Sequence, residues 1–205
     1  VCIDDVYGGA QRLFRKIIGP KVGVEFTFMD MSDPATVAAA IKSNTKMVWV
    51  ESPTNPTLKV SDISSIATSV HDVNSECLVI VDNTFASPYL QNPLKLGADI
   101  VMHSVTKYIG GHSDVLMGAL VINSDELNEQ LRFNQYSMGA VPSPFDCYMS
   151  IRGMKTLAVR MEAAMKNAMT IVTFLDNTPS FVSKVLYPGL KSHPGHDIAR
   201  QQMRG

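Results

Sequence analysis

The sequence predicts an α/β fold, a mainly parallel sheet with flanking helices followed by the start of a smaller C-terminal α/β unit. Three observations carry that prediction. Four short apolar runs rich in β-branched residues (1–3, 47–50, 78–81 and 98–102) recur through the first half, each too short for a globular helix. Helix-like stretches lie between them at 10–18, 35–41 and 63–70. Each apolar run also hands over to a polar segment, and in an open parallel sheet the loops leaving the carboxyl ends of the strands converge on one crevice.

Taken in chain order, the first run is Val1-Cys2-Ile3, which reads as a buried strand with nothing before it, so the chain is expected to be N-terminally incomplete. Asp62 stands where an N-cap would open the helix at 63–70, and Ser124 does the same for a helix at 124–133. Residues 144–175 carry apolar side chains at helical spacing, notably Leu157, Met161, Met165 and Met169; the three methionines are read as core filler, a role suited to the flexible thioether. Asp176-Asn177-Thr178-Pro179 breaks that pattern, and 182–187 reads as a strand ended by Pro188-Gly189, the opening of a second unit.

Composition excludes several classes. With 45% hydrophobic and 18% charged residues in 205, the chain can bury a core, so disorder is excluded. The 18 basic and 19 acidic residues form no long runs, which leaves no electrostatic footprint for nucleic acid or an anionic membrane. No segment approaches the roughly eighteen uninterrupted apolar residues of a membrane helix. The three cysteines, Cys2, Cys77 and Cys147, have no C-x-x-C spacing, so neither a disulfide framework nor a thiolate zinc site is suggested and a reduced, cytoplasmic setting is expected. His193 and His196 lie in a Pro/Gly loop with no carboxylate or cysteine at matching distance, and no metal is expected. The G-x-G-x-x-G and Walker motifs are absent. A small molecule or another subunit remains as the partner.

The polar segments are Asp4-Asp5-Val6-Tyr7-Gly8-Gly9, Glu51-Ser52-Pro53-Thr54-Asn55-Pro56, Asp82-Asn83-Thr84-Phe85 and His103-Ser104-Val105-Thr106-Lys107-Tyr108. They contain what a pyridoxal phosphate (PLP) site needs: a lysine for the aldehyde, a carboxylate for the ring nitrogen, hydroxyls for the phosphate and a ring to stack on. Lys107 follows a strand and a short turn, where partial desolvation would favour a neutral nucleophile; it also fits a surface lysine. Asp82 ends the most apolar strand, where a carboxylate is costly unless a cation joins it; it could equally cap the next turn. Ser104 and Thr106 alternate with Val105, so two hydroxyls could face a phosphate or simply form a turn. Tyr7 precedes paired glycines that let backbone approach a ligand, and its ring could stack on a pyridine or pack in the core. Asn55 sits between two prolines that fix its direction, and Asn-Pro is also a turn initiator.

The runs Val81-Asp82-Asn83-Thr84-Phe85, Ser104-Val105-Thr106-Lys107-Tyr108 and Gly111-His112-Ser113-Asp114, in this order, resemble the Cys/Met-metabolism family of PLP enzymes. Tyr7-Gly8-Gly9 and the stretch 139–148 look most like that family's cystathionine γ-lyase branch; methionine γ-lyases tend to carry a cysteine where Gly9 stands. The resemblance covers essentially the whole chain. It implies the type I PLP-dependent transferase fold (aspartate aminotransferase-like), with a large cofactor-binding domain over 1–157 and a connecting helix plus the start of the C-terminal domain over 158–205.

By the same resemblance, Lys107 is the lysine that condenses with the cofactor, Asp82 the pyridinium partner, Ser104 and Thr106 phosphate ligands, Tyr7 the stacking ring with a catalytic hydroxyl, Asn55 the neighbour of the phenolic oxygen, and Arg12 a residue near the substrate. Arg12 also fits a helix-surface charge. The implied reaction is γ-elimination on L-cystathionine, giving cysteine, 2-oxobutanoate and ammonia, in a homotetramer built from dimers. Ala10 stands where the family usually has threonine. The family's upstream phosphate loop, its intersubunit tyrosine and arginine, and its downstream carboxylate-clamping arginine are not in the chain, so both ends are expected to be truncated and the 205 residues alone are expected to turn over little. Cystathionine γ-synthase or β-lyase activity, or a catalytically silent module, are the competing expectations.

Overall fold

A computed structural model describes residues 1–204. The chain runs β1 (Cys2–Ile3), α1 (Gly8–Leu13) continued by a π-helical turn (Phe14–Ile18), α2 (Gly19–Val22), β2 (Phe28–Met29), α3 (Pro34–Ala39), β3 (Met47–Glu51), α4 (Ile63–Val73), β4 (Leu78–Asp82), α5 (Ser87–Leu90), a 3-10 turn (Pro93–Leu96), β5 (Ile100–Ser104), β6 (Gly118–Ile122), α6 (Asp125–Met138), α7 (Pro144–Met154), α8 (Leu157–Asp176) and α9 (His196–Gln202). The strands form one sheet in the order β2-β1-β3-β4-β5-β6, parallel throughout except that β6 runs antiparallel to β5. The expected mainly parallel sheet with flanking helices is the one observed.

Strand alternation divides the sheet into two faces of different chemistry. Val48 and Val50 of β3, Val79 and Val81 of β4 and Val101 of β5 are buried in one cluster with Ile63, Ile66, Ala67 and Val70 of α4. Each fully buried valine there contributes on the order of 1.5–3 kcal/mol. The intervening positions, Trp49, Glu51, Asp82, Met102 and Ser104, belong to the other face and line a cavity. The predicted caps are present: Asp62 accepts the Ser65 N–H at 2.9 Å, and Ser124 accepts the Leu127 N–H at 3.3 Å.

Several expectations are corrected. Two strands go beyond the four expected: β2 is a two-residue edge, and β6 presents a largely unburied Gly-Ala-Leu-Val-Ile run. The apolar stretch at 144–175 is two helices, broken at Lys155–Thr156, because α7 ends with Gly153 pressed on the turn after Lys107. Leu157 and Met161 are buried as core filler, whereas Met165 is only half-buried and Met169 is exposed. Residues 182–187 form no strand, since they find no ladder partner among the described residues. Instead the end of the chain returns to the sheet's loops: Gln202 donates to the Ser61 carbonyl at 3.0 Å, and the Arg204 N–H donates to the Leu90 carbonyl at 2.8 Å.

The turn after Lys107 is held from two sides. The Gly110 N–H donates to the Val105 carbonyl at 2.7 Å and the Gly111 N–H to the Lys107 carbonyl at 2.8 Å. Arg160 of α8 donates to the Tyr108 carbonyl at 2.7 Å and to the Gly153 carbonyl at 2.8 Å. A Cβ at Gly153 would lie 2.2 Å from the Gly110 carbonyl oxygen, a backbone atom with little freedom to retreat. Gly153→Ala should therefore lower stability by about 1–3 kcal/mol, as overpacking does; an unchanged urea midpoint would show that α7 is not packed this closely.

Candidate active site

The carboxyl ends of β1, β3, β4 and β5 open into a cavity of about 610 Å³. That is within the range of small-molecule sites, and it lies where an open parallel sheet places them. Six of the seven residues singled out from the sequence line it: Tyr7, Asn55, Asp82, Ser104, Thr106 and Lys107. Arg12 is not brought to its wall; it sits exposed in the last turn of α1.

Asp82 is the electrostatic centre. It is 7% exposed, its Oδ1 accepts the Thr84 N–H at 3.0 Å, and no cationic side chain pairs with it among the described residues. Burial raises its pKa, opposed by the bonds from Thr84. Lys107 stands exposed at the cavity rather than partly desolvated as expected, because the Ser104–Lys107 turn, closed by the Lys107 N–H to the Ser104 carbonyl at 3.1 Å, carries it out of the sheet.

The Ser104 N–H is fixed by Thr84 Oγ1 at 2.9 Å, and the Ser104 hydroxyl has no protein partner among the described residues. The Thr106 hydroxyl accepts the Met117 N–H at 3.1 Å and lies 3.4 Å from the Met117 carbonyl, so it is already tied to the strand-β6 approach. Tyr7 is the N-cap residue of α1, and its ring passes directly over Gly9: a Cβ there would lie 2.4 Å from Tyr7 Cε1. Glycine at position 9 is what gives the ring its place. Asn55 sits in a loop containing two cis peptides, Ser52–Pro53 and Asn55–Pro56, with its side-chain amide free of protein partners among the described residues.

The sequence reading missed Glu51, which lines the cavity and is 5% exposed. Glu51 and Asp82 are register partners on adjacent strands, so both carboxyls leave the same face side by side. Glu51 Oε2 accepts the Tyr7 N–H at 2.9 Å and Oε1 the Asn55 N–H at 3.0 Å. Its pKa is pushed up to about 7, chiefly by burial and further by Asp82, against the two backbone bonds. The signal was present, because Glu51 closes an apolar strand just as Asp82 does. His103 was also missed: it is a buried imidazole in the wall, held toward its neutral form by burial, and its Nδ1 lacks a protein partner among the described residues.

This donor and acceptor set fits PLP. A buried carboxylate without a cation matches a protonated pyridine nitrogen, an uncommitted serine hydroxyl matches a phosphate, and an exposed phenol ring beside a glycine matches a flat ring. The two histidines weighed from the sequence are occupied elsewhere, His193 Nδ1 accepting the Gly195 N–H at 3.0 Å and His196 Nδ1 lying 2.9 Å from the Pro188 carbonyl. No helix among the described residues is long and apolar enough to cross a membrane.

The raised pKa of Glu51 sets a pH signature. A carboxyl raised in the folded state stabilises the fold fully below its ordinary value near 4.5, and that contribution is lost as pH rises through about 7. The ligand-free protein should lose up to about 3 kcal/mol between pH 4.5 and 8, and Glu51→Gln should flatten the decline. Urea unfolding across that range checks this, and an unchanged slope in the variant would contradict it.

The family model for Cys/Met metabolism PLP-dependent enzymes matches residues 1–205. Among curated relatives, a probable cystathionine γ-synthase of Herpetosiphon aurantiacus is 54% identical over the whole chain, which covers 63% of that protein. The cystathionine γ-lyase of Dictyostelium discoideum is also 54% identical over the whole chain, covering 52% of that protein. In solved structures, metB from Corynebacterium glutamicum superposes with a TM-score of 0.95 at 53% identity, matching 99% of this chain and 52% of that one. The cystathionine γ-lyase of Lactobacillus plantarum, complexed with L-serine, gives 0.95 at 44% identity, matching 100% and 53%. The chain thus spans about half to three-fifths of the length of these relatives, and with a strand-end cavity built around Lys107 and Asp82 it belongs to the Cys/Met metabolism family of PLP-dependent enzymes.

Proposed function

We propose that the protein carrying this chain catalyses γ-elimination on L-cystathionine, giving cysteine, 2-oxobutanoate and ammonia, with PLP bound in the cavity between Asp82 and Lys107. The observation that carries the reading is Asp82: a buried carboxylate that no cationic side chain pairs with among the described residues, in the same cavity as a lysine. Several whole-chain relatives, from Dictyostelium discoideum to Mus musculus, are named cystathionine γ-lyase, at 54% and 53% identity.

The bound cofactor supplies an electron sink for charge developing at the substrate's α-carbon. Asp82 holds the proton on the ring nitrogen, which keeps the sink effective. The Lys107 amine would hold the cofactor's aldehyde and, when free, would accept the α-proton and return protons as the γ-sulfur departs. Tyr7, in the cavity wall, would stack on the ring and offer its hydroxyl to the substrate. Ser104 and Thr106 would hold the phosphate and Asn55 the phenolic oxygen; Arg12, exposed in α1 outside the cavity lining, is assigned near the substrate by the resemblance alone. Residues 1–157 make up the cofactor-binding domain in this reading, and 158–205 the connecting helix and the start of the next.

The reading extends to a cytoplasmic homotetramer, in keeping with three free cysteines and with the apolar side chains Phe133, Tyr136, Phe145 and Tyr148 that α6 and α7 leave exposed. A second reading, cystathionine γ-synthase, is favoured by the relatives of that name in Herpetosiphon aurantiacus and Mycobacterium leprae, the latter 55% identical over 204 residues.

Two measurements test these statements. Adding PLP, reducing with borohydride and mapping the modified peptide should place the label on Lys107, and Lys107→Ala should lower turnover by at least about 10²-fold; label on another lysine would end the cofactor assignment. Incubation with cystathionine should release 2-oxobutanoate, whereas pyruvate would indicate β-elimination, and condensation of an activated homoserine with cysteine as the preferred reaction would favour the synthase. The 205-residue chain alone should show little turnover.

A further inference from the structure

Glu51 has no part in the chemistry just described, yet its two oxygens are committed in an unusual way. A buried carboxyl costs free energy unless its oxygens are occupied, and no cationic side chain pairs with this one among the described residues. The partners are two backbone N–H groups from different loops: Tyr7, in the turn after β1, and Asn55, in the turn after β3. Both residues line the cavity. Because the bonds are to peptides rather than side chains, they fix where each residue starts and therefore how its side chain is aimed. The register of β3 on β4 then locks this tie beside Asp82.

We propose that Glu51 is a positioning residue for the cofactor: one carboxyl clamps the Tyr7 and Asn55 peptides together and so sets the orientation in which PLP is held. The proposal rests on the reading that this cavity binds PLP. Only a side chain with two acceptor oxygens at this reach can do it. Glutamine keeps one acceptor and turns an NH₂ toward an N–H, alanine leaves both N–H groups bare, and aspartate keeps both oxygens on a stem one methylene shorter.

The test uses the intact protein and PLP itself as the probe. It reads the dissociation constant, the visible circular dichroism per bound cofactor, and the unfolding midpoint of the cofactor-free protein. Glu51→Gln and Glu51→Ala should each weaken binding by about 10-fold or more, the loss of roughly one charge-assisted bond, and cut the dichroism per bound cofactor by at least half. Glu51→Asp should recover part of the dichroism. Binding and dichroism equal to the parent in the Gln variant would overturn the proposal, as would weakened binding with an unchanged band per bound cofactor. If the Ala variant does not fold, the near-isosteric Gln variant decides. Asp82→Asn separates the two levels: parent-like binding in that variant would bring down the cofactor reading itself, whereas loss of binding there, with Glu51 variants unaffected, would bring down the clamp alone.

Discussion

The architecture turns on a register constraint. Parallel pairing of β3 with β4 sets Glu51 opposite Asp82, so two carboxyls emerge side by side from the end of a sheet whose other face is solid valine. Neither is neutralised by a cationic side chain among the described residues; burial raises the pKa of both, and Asp82 raises that of Glu51 further. The two resolve this differently. Glu51 spends its oxygens on the backbone, while Asp82 accepts one N–H and keeps the rest of its capacity for the cavity. A site that holds negative charge in reserve is poised for a ligand that arrives positive.

The remaining features serve the space around that pair. Gly9 gives up a side chain so that the Tyr7 ring can lie across it, and Thr84 ties β4 to β5 through the Ser104 N–H. Behind them, the side chain of Gln91 bridges the Ser52 carbonyl and Asn83 Oδ1 at 2.9 and 2.8 Å, buried donors satisfied where two strand ends meet. Several of the loops that meet at the cavity are therefore held by side chains bonding to backbone, as Glu51, Thr84 and Gln91 do.

Much of this was legible from residue order alone. The four central strands, the caps at Asp62 and Ser124 and the convergence of six candidate residues follow from apolar runs that end in polar motifs. What escaped did so for physical reasons. The two-residue β2 carries too little pattern to register, and β6 announces no burial because it has little. Residues 182–187 have the composition of a strand, but a strand exists only with a neighbour to bond. Glu51 was overlooked because its role depends on which residue lies across the ladder, and Arg12, carried in by resemblance, lies exposed in α1 outside the lining of the cavity.

Arg160 reaches from the first turn of α8 to the Tyr108 carbonyl, one residue past Lys107, and Gly111, with φ of 80°, leaves room for its guanidinium where any Cβ would collide. A long helix is thereby harnessed to the turn that follows the reactive amine. One guanidinium thus joins the end of α7, the start of α8 and the turn that carries the lysine, so a shift of either helix is felt at that turn after a single side-chain link.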